Sequence, residues 1–232
     1  MSERVRHIFY TIKSVNLATT KFYTVAAVEP SSIIVLATRN QGKVREMGQL
    51  FNALPLDVRG LADFPGVEDV EETGSTFREN AELKAREFAK QTGQLCLADD
   101  SGLEIEALGG EPGVRSARFA GPETGYDIKN AMLLGMIEKS GDQARRARFV
   151  CAMALAGADG NLLQTVEGVC DGSISRVPRG VNGFGYDPIF IPDGYDKTFG
   201  ELGDDVKQRI SHRARAAGEI VRYLLDFIAM RT

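Results

Sequence analysis

The sequence predicts an α/β fold with a mixed sheet, and three observations carry this. A continuous apolar run, Ile33 to Ala37, is followed after a polar turn by apolar residues at helical spacing. That is the strand–loop–helix opening of a sheet buried on both faces. A second helical pattern, with start and stop signals, precedes another apolar run at Leu95 to Ala98. The second half changes character: RARFVCAMALAG and LLQTVEGVCDGSIS read as long strands, and the turn signal ADGN between them predicts a hairpin. Parallel-type units followed by antiparallel strands make a mixed sheet.

Taken in order, residues 1–32 read as an N-terminal extension. They are mildly basic, rich in Thr, Val and Ser, and lack the sustained apolar stretch of a signal peptide. A loosely attached segment or a wrongly chosen upstream start codon is expected, with the domain proper spanning 33–232. After the first strand, Val44, Met47, Leu50, Phe51 and Leu54 mark a helix face, and a second strand is expected over Leu56 to Leu61. Thr76 with Glu79 three residues on forms a capping box for a long helix that Gly93 closes. A strand over 95–98 then ends at the doublet Asp99-Asp100, and EALGGEPG is a turn-rich link. A helix follows over 126–139, then the two long strands, a short strand at Pro188 to Ile191, and a last helix from near His212. That helix places Ala217, Val221, Leu224, Leu225 and Ile228 on one face.

Composition narrows the function. An apolar content of 43% and a charged content of 26% suit a soluble globular enzyme. Lys and Arg number 28 against 32 Asp and Glu, a net charge of −4, so no basic field exists to hold polymeric DNA or RNA. Cys96, Cys151 and Cys170 lie far apart with no CxxC, the pattern of reduced thiols. His7 and His212 are the only histidines and neither neighbours a cysteine, which argues against zinc. No apolar run approaches the roughly 20 residues that cross a bilayer. A cytoplasmic protein without a membrane partner is expected.

Several short stretches carry chemistry. The turn Thr38-Arg39-Asn40-Gln41-Gly42-Lys43 follows the first strand, where open α/β sheets bind ligands and helix N-termini attract anions. Thr38 and Asn40 offer hydrogen bonds, Gly42 permits close approach and Lys43 adds charge; the alternative is a polar turn. Lys84 falls along the stripe of Phe77, Ala81, Ala85 and Phe88. A buried ammonium there demands a phosphate or carboxylate partner unless it snorkels to the surface. One carboxylate from Glu71-Glu72 and one from Asp99-Asp100 would make a pair for Mg²⁺, which takes few protein oxygens. Strand alternation lets only one aspartate of the doublet enter the site, leaving the other to brace it. In NGFGYDPIF, Phe184 and Tyr186 beside Asp187 suit a planar base, with stacking worth about 1–3 kcal/mol, or else they are core aromatics. In KQRISHRARA, Ser211 is a good N-cap, and it sets His212 and Arg213 in a first helical turn that disfavours cations. Sequence that works against local stability hints at ligand binding.

The ordered set ATRNQGKVRE, EETGSTFRENAELKA, ADDSGLEIEALGGEPGVRSARF, GFGYDPIF and ISHRARA resembles the non-canonical purine nucleoside triphosphate pyrophosphatases, the inosine/xanthosine triphosphatase (XTP/dITP diphosphatase) family. The likeness spans residue 33 to about 228. It implies an elongated, inosine triphosphatase-like fold of two lobes around a long mixed sheet, working as a homodimer. It also implies Mg²⁺-dependent hydrolysis of ITP, dITP and XTP to the monophosphate and pyrophosphate, which clears deaminated purines from the nucleotide pool. By the same resemblance Thr38, Arg39, Asn40, Lys43 and Lys84 hold the triphosphate. Glu72 and Asp100 hold the metal, Asp100 also acting as base with Ser101 beside the substrate. Phe184, Gly185, Tyr186, Asp187, Lys207, His212 and Arg213 surround the purine. Competing readings are a nucleotide sensor that no longer hydrolyses, an aspartyl-phosphate phosphatase using the doublet, and a pyrophosphatase of pyrimidine or modified nucleotides.

Overall fold

The computed structural model describes residues 10–16, 19–25, 33–51, 54 and 56–229. Strands β1 (Tyr10–Asn16) and β2 (Thr19–Val25) pair antiparallel in a two-stranded sheet of their own. They belong to the segment 1–32, the rest of which lies outside the described residues. The main sheet comprises β3 (Ile33–Leu36), β4 (Asp57–Gly60), β5 (Leu95–Ile105), β6 (Arg146–Ala156), β7 (Leu162–Ile174) and β8 (Phe190–Pro192), in spatial order β4-β3-β5-β6-β7-β8. β3 runs parallel to β4 and to β5, and every later pairing is antiparallel. The mixed sheet read from the sequence is present, and the change of direction falls between β5 and β6.

Alternation along β5 divides the core. Leu97 faces a cluster built with α1 (Gln41–Phe51) and α5 (His212–Ala229), including Met47, Phe51, Met153, Ile220 and Leu224. Cys96 and Ala98 face α2 (Phe77–Thr92) on the other side, among Phe77, Ala81, Ala85, Phe88 and Ala152. The small residues on α2 and β6 let helix and sheet approach closely. Farther along the strands, Leu103, Ile105, Phe149 and Phe190 pack with α3 (Tyr126–Ser140) through Leu133 and Ile137. This cluster is the core of a second lobe, and β5, β6 and β7 run through both. No described helix is long and apolar enough to cross a membrane.

Local signals hold where backbone chemistry is explicit. The Thr76 hydroxyl accepts from Glu79 N at 3.1 Å, Thr76 N donates back to the Glu79 carboxylate at 3.2 Å, and Gly93 closes α2 at a φ of 64°. Three expectations need correction. β5 does not stop at Ala98 but runs on to Ile105, paired with β6 from Cys96–Ala156 to Ile105–Ala147, so the aspartate doublet sits in mid-strand. Two charges look like a strand end only when their partners are unseen. Near Pro188, residues Asp187–Ile189 form a 3₁₀ turn and the strand covers Phe190–Pro192, since Pro188 has no N–H for a ladder. Helix α4 (Asp204–Ile210) was not expected; its seven residues give too few apolar repeats for a period to show.

Candidate active site

The centre of the site is mid-strand β5. Its pleat sends Asp99 and Asp100 to opposite faces, so the two like charges never confront one another. Asp99, 1% exposed, meets Lys43 Nζ at 2.9 Å and Arg213 Nη2 at 3.2 Å through Oδ2. Burial would raise its carboxyl, but Lys43 and Arg213 outweigh that and hold it well below the usual range. Asp100 turns toward α2. There Asn80 Nδ2 donates to its Oδ2 at 3.1 Å, and Lys84 Nζ lies 3.4 Å from Oδ1.

Lys84 is buried, as its place on the apolar stripe of α2 requires, and its partners are carboxylates. Its ammonium reaches Glu72 Oε1 at 2.6 Å while remaining within 3.4 Å of Asp100. Burial disfavours this charge, but Asp100 and Glu72 together raise its pKa above the ordinary value. Glu72 comes from the irregular segment before α2, held there by the Thr76 cap and by Gly74 N donating to Asn80 Oδ1 at 2.8 Å. A second cation, Arg118 of the link between β5 and α3, binds Glu72 Oε2 through Nη1 at 2.9 Å. Against burial, Lys84 and Arg118 hold the Glu72 carboxyl below its usual value. Burial raises that of Asp100; Lys84 opposes the rise and Glu72 adds to it. The Glu72 and Asp100 carboxylates thus converge on one cation, Lys84, and as hard oxygen donors they are the residues here that could hold Mg²⁺.

The opposite end of the site is aromatic and cationic. The Phe184 ring lies so close to Gly42 that a methyl group there would sit 2.7 Å from Cδ1. Lys207 Nζ stands 4.7 Å from the ring centroid and 2.6 Å from both Asp187 Oδ2 and Glu46 Oε1. Phe184 N donates to Asp187 Oδ2 at 2.7 Å, closing the NGFGYD loop on itself. Tyr186 is a buried core aromatic whose hydroxyl donates to Ser116 O at 2.7 Å. Ser211 caps α5 as its sequence suggests, accepting from Ala214 N at 3.1 Å. The two cationic-type residues in the first turn are then absorbed differently. His212 stacks on Phe149 with centroids 4.7 Å apart; burial beside Arg213 and Lys207 drives its pKa well below the ordinary value, so the ring is neutral. Arg213 spends its guanidinium on Glu46 at 2.5 Å, on Asp99 and on the Ser101 hydroxyl at 2.8 Å.

Between these ends lies a cavity of about 370 Å³, lined by Thr38, Arg39, Asn40, Lys43, Glu72, Lys84, Asp100, Ser101, Phe184, Gly185, Tyr186, Asp187, Lys207, His212 and Arg213, among others. Nearly every residue singled out from the sequence is brought together. Two are not: Gln41 points to solvent and Gly42 lies beneath Phe184, and neither lines the cavity. Arg39 reaches the rim but pairs with Asp69 at 2.6 Å and Val67 O at 3.0 Å. Sequence reading missed Glu46, Asn80, Arg118 and the Phe149 platform. Glu46 stands one turn from Lys43 on α1, and Asn80 one turn before Lys84 on α2, so helical spacing was the available signal. Phe149 offered none, because its contact with His212 joins distant segments.

Sequence and fold both have counterparts among known proteins. The profile of the Ham1 family matches residues 34–223. A protein of Exiguobacterium sp. named dITP/XTP pyrophosphatase is 47% identical over 195 residues, 84% of this chain and 98% of the relative. One of the same name from Bacillus anthracis is 48% identical over 184 residues, 79% of this chain and 91% of the relative. Among solved structures, a HAM1 protein from Coxiella burnetii superposes with a TM-score of 0.76 at 43% identity, covering 84% of this chain and 98% of that one. The Staphylococcus aureus Ham1 protein gives a TM-score of 0.72 at 40% identity, covering 87% and 100%. With the family profile matching most of its length, relatives near 47% identity and solved structures of the same fold, the chain belongs to the Ham1 family.

Proposed function

We propose that the protein hydrolyses non-canonical purine nucleoside triphosphates, dITP, ITP and XTP, to the monophosphate and pyrophosphate with Mg²⁺, and so removes deaminated purines from the nucleotide pool. The observation that carries this reading is the polarity of one cavity. A carboxylate pair around a lysine stands at one end, and an aromatic ring flanked by two cations stands at the other. The printed names of the relatives, dITP/XTP pyrophosphatase, support the substrate class.

Each residue's task follows from its place. The cavity holds the triphosphate along Thr38, Asn40, Lys43 and Lys84, whose donors and charges offset its negative charge. Glu72 and Asp100 would hold Mg²⁺, which when bound supplies charge neutralisation and Lewis acidity at the phosphates. Asp100 would also orient the attacking water and take its proton. Phe184 offers a stacking face. Lys207 and Arg213 set fixed positive charge at the purine end, which favours a 6-oxo acceptor over the 6-amino donor of adenine. A homodimer acting in the cytoplasm completes the proposal, and sedimentation equilibrium of the purified chain reads the dimer.

The test is a panel of ITP, dITP, XTP, GTP, ATP and dUTP, scored for pyrophosphate against single phosphate release, before and after EDTA. The reading requires pyrophosphate release, preference for the 6-oxo purines without an amino group, and recovery of activity on adding Mg²⁺. Stepwise release of single phosphates, or preference for dUTP, refutes it.

A further inference from the structure

Among the described residues, Arg118 is the one cation in contact with the carboxylate pair that the function proposed above leaves unused. Its backbone is held rigidly. Ser116 donates from its hydroxyl to Gly113 O at 2.7 Å and accepts from Leu103 N at 2.9 Å, and its carbonyl takes the Tyr186 hydroxyl. Ala117 O accepts from the buried Lys129 Nζ at 2.6 Å. Arg118 N and O bond Arg115 O and Gly121 N at 2.8 and 2.9 Å. From this anchored loop the guanidinium reaches Glu72 Oε2 with Nη1, and the side chain stays 45% exposed. An arginine offers five N–H donors in a planar fork suited to phosphate oxygens. Here a single-point contact to a carboxylate uses a small part of that capacity.

We propose that Arg118 is a further phosphate-binding residue, which rests on Glu72 in the free protein and transfers to the triphosphate when Glu72 is taken up by the metal. This rests on the metal assignment above. The argument is one of charge exchange. Lys84 and Arg118 occupy the two oxygens of Glu72, one each. Lys84 and Arg118 would have to give up these oxygens, wholly or in part, were Glu72 and Asp100 to hold a divalent cation, because like charges repel and the carboxylate oxygens are the same. The same event brings polyphosphate next to both cations. Glu72 thus serves as a resting counter-ion, and the nucleotide replaces it.

The exchange predicts two effects of opposite sign for Arg118→Ala, which a purely supporting role does not. With one competing cation gone, Mn²⁺ alone binds the variant more tightly than it binds wild type, by up to about fivefold for a half-exposed pair. Inorganic pyrophosphate, titrated at saturating Mg²⁺, binds about tenfold more weakly, as expected on losing a charge-assisted hydrogen bond, and KM for the nucleotide rises alongside. Arg118→Lys recovers part of the anion affinity. Calorimetric titration of the full chain reads both constants, with Glu72→Gln as the control for the metal itself. If Arg118→Ala weakens Mn²⁺ binding, or leaves pyrophosphate binding unchanged, the exchange is refuted while the metal assignment stands. If Glu72→Gln binds Mn²⁺ as wild type does, the metal assignment is refuted and the exchange with it.

Discussion

At the scale of single residues, the site is a set of buried charges each matched by an opposite one. In the function proposed above, Asp100 is the residue on which turnover depends most directly. Asp100→Asn keeps the shape and the hydrogen bond to Asn80 but removes the charge, so kcat is expected to fall about 10²- to 10⁴-fold while the circular dichroism spectrum is unchanged; near-normal turnover would contradict its assignment as base and ligand. Glu46, unnoticed in the sequence, ties Lys207 to Arg213. Burial acts to raise its carboxyl, yet Arg213 and Lys207 prevail and hold it below 4.5. Its ion-pair contribution is therefore complete above that pH and is lost as the pH falls through the lower folded value. Glu46→Gln is expected to cost roughly 1–3 kcal/mol at pH 7 and to flatten the loss of stability below about pH 4.5. Urea midpoints measured at pH 7 and pH 3.5 check this, and equal acid sensitivity of variant and wild type would contradict it.

At the scale of elements, the aromatic and cationic end of the cavity depends on α5 starting hard against β7. A methyl group on Gly168 would lie 2.2 Å from His212 O and 2.6 Å from Ala216 N, both backbone atoms. Gly168→Ala must push the strand off the helix, so a loss of about 1–3 kcal/mol is expected, together with a raised KM because His212 and Arg213 move. Thermal unfolding and steady-state kinetics on the same preparation measure the two effects, and an unchanged KM would show that α5 is not positioned this way. Elements of this kind were legible where their chemistry is local. The cap at Thr76, the glycine at 93, the Ser211 cap and the apolar stripe of α2 can each be read within one turn of chain, and the site residues they carry followed. What escaped was whatever needs a partner from elsewhere: the passage of β5 through its aspartates, fixed by pairing with β6, and the role of Glu46, fixed by α4 and α5. The aspartate doublet shows both sides. Its two faces follow from strand alternation alone, whereas its mid-strand location does not.

At the scale of the whole molecule, the candidate site is distributed over two lobes that share one sheet. The cavity draws Lys43 from α1 and Lys84 from α2, Phe184 from the loop before β8, Lys207 from α4 and Arg213 from α5, and Arg118 reaches Glu72 from the β5–α3 link. The main sheet begins at Ile33, and the family match begins at residue 34. A chain starting at Ile33 is therefore expected to keep wild-type kcat/KM within about twofold; a large drop in rate or melting temperature would assign the β1–β2 hairpin a share in the fold. The placement of Asp99 and Asp100 on opposite sides of β5 has a last implication for how such a chain can vary. The strand works by parity. Substitutions along it alter one contact at a time, but deleting a single residue between Leu95 and Ala98 would turn Asp99 toward α2, set Asp100 in its place opposite Lys43 and Arg213, and bring Ser101 to the position facing Lys84; an insertion would instead leave Ala98 opposite Lys43. Sequence length in this stretch should be far less tolerant of change than sequence identity, and a scan of single-residue indels against point variants would measure the difference.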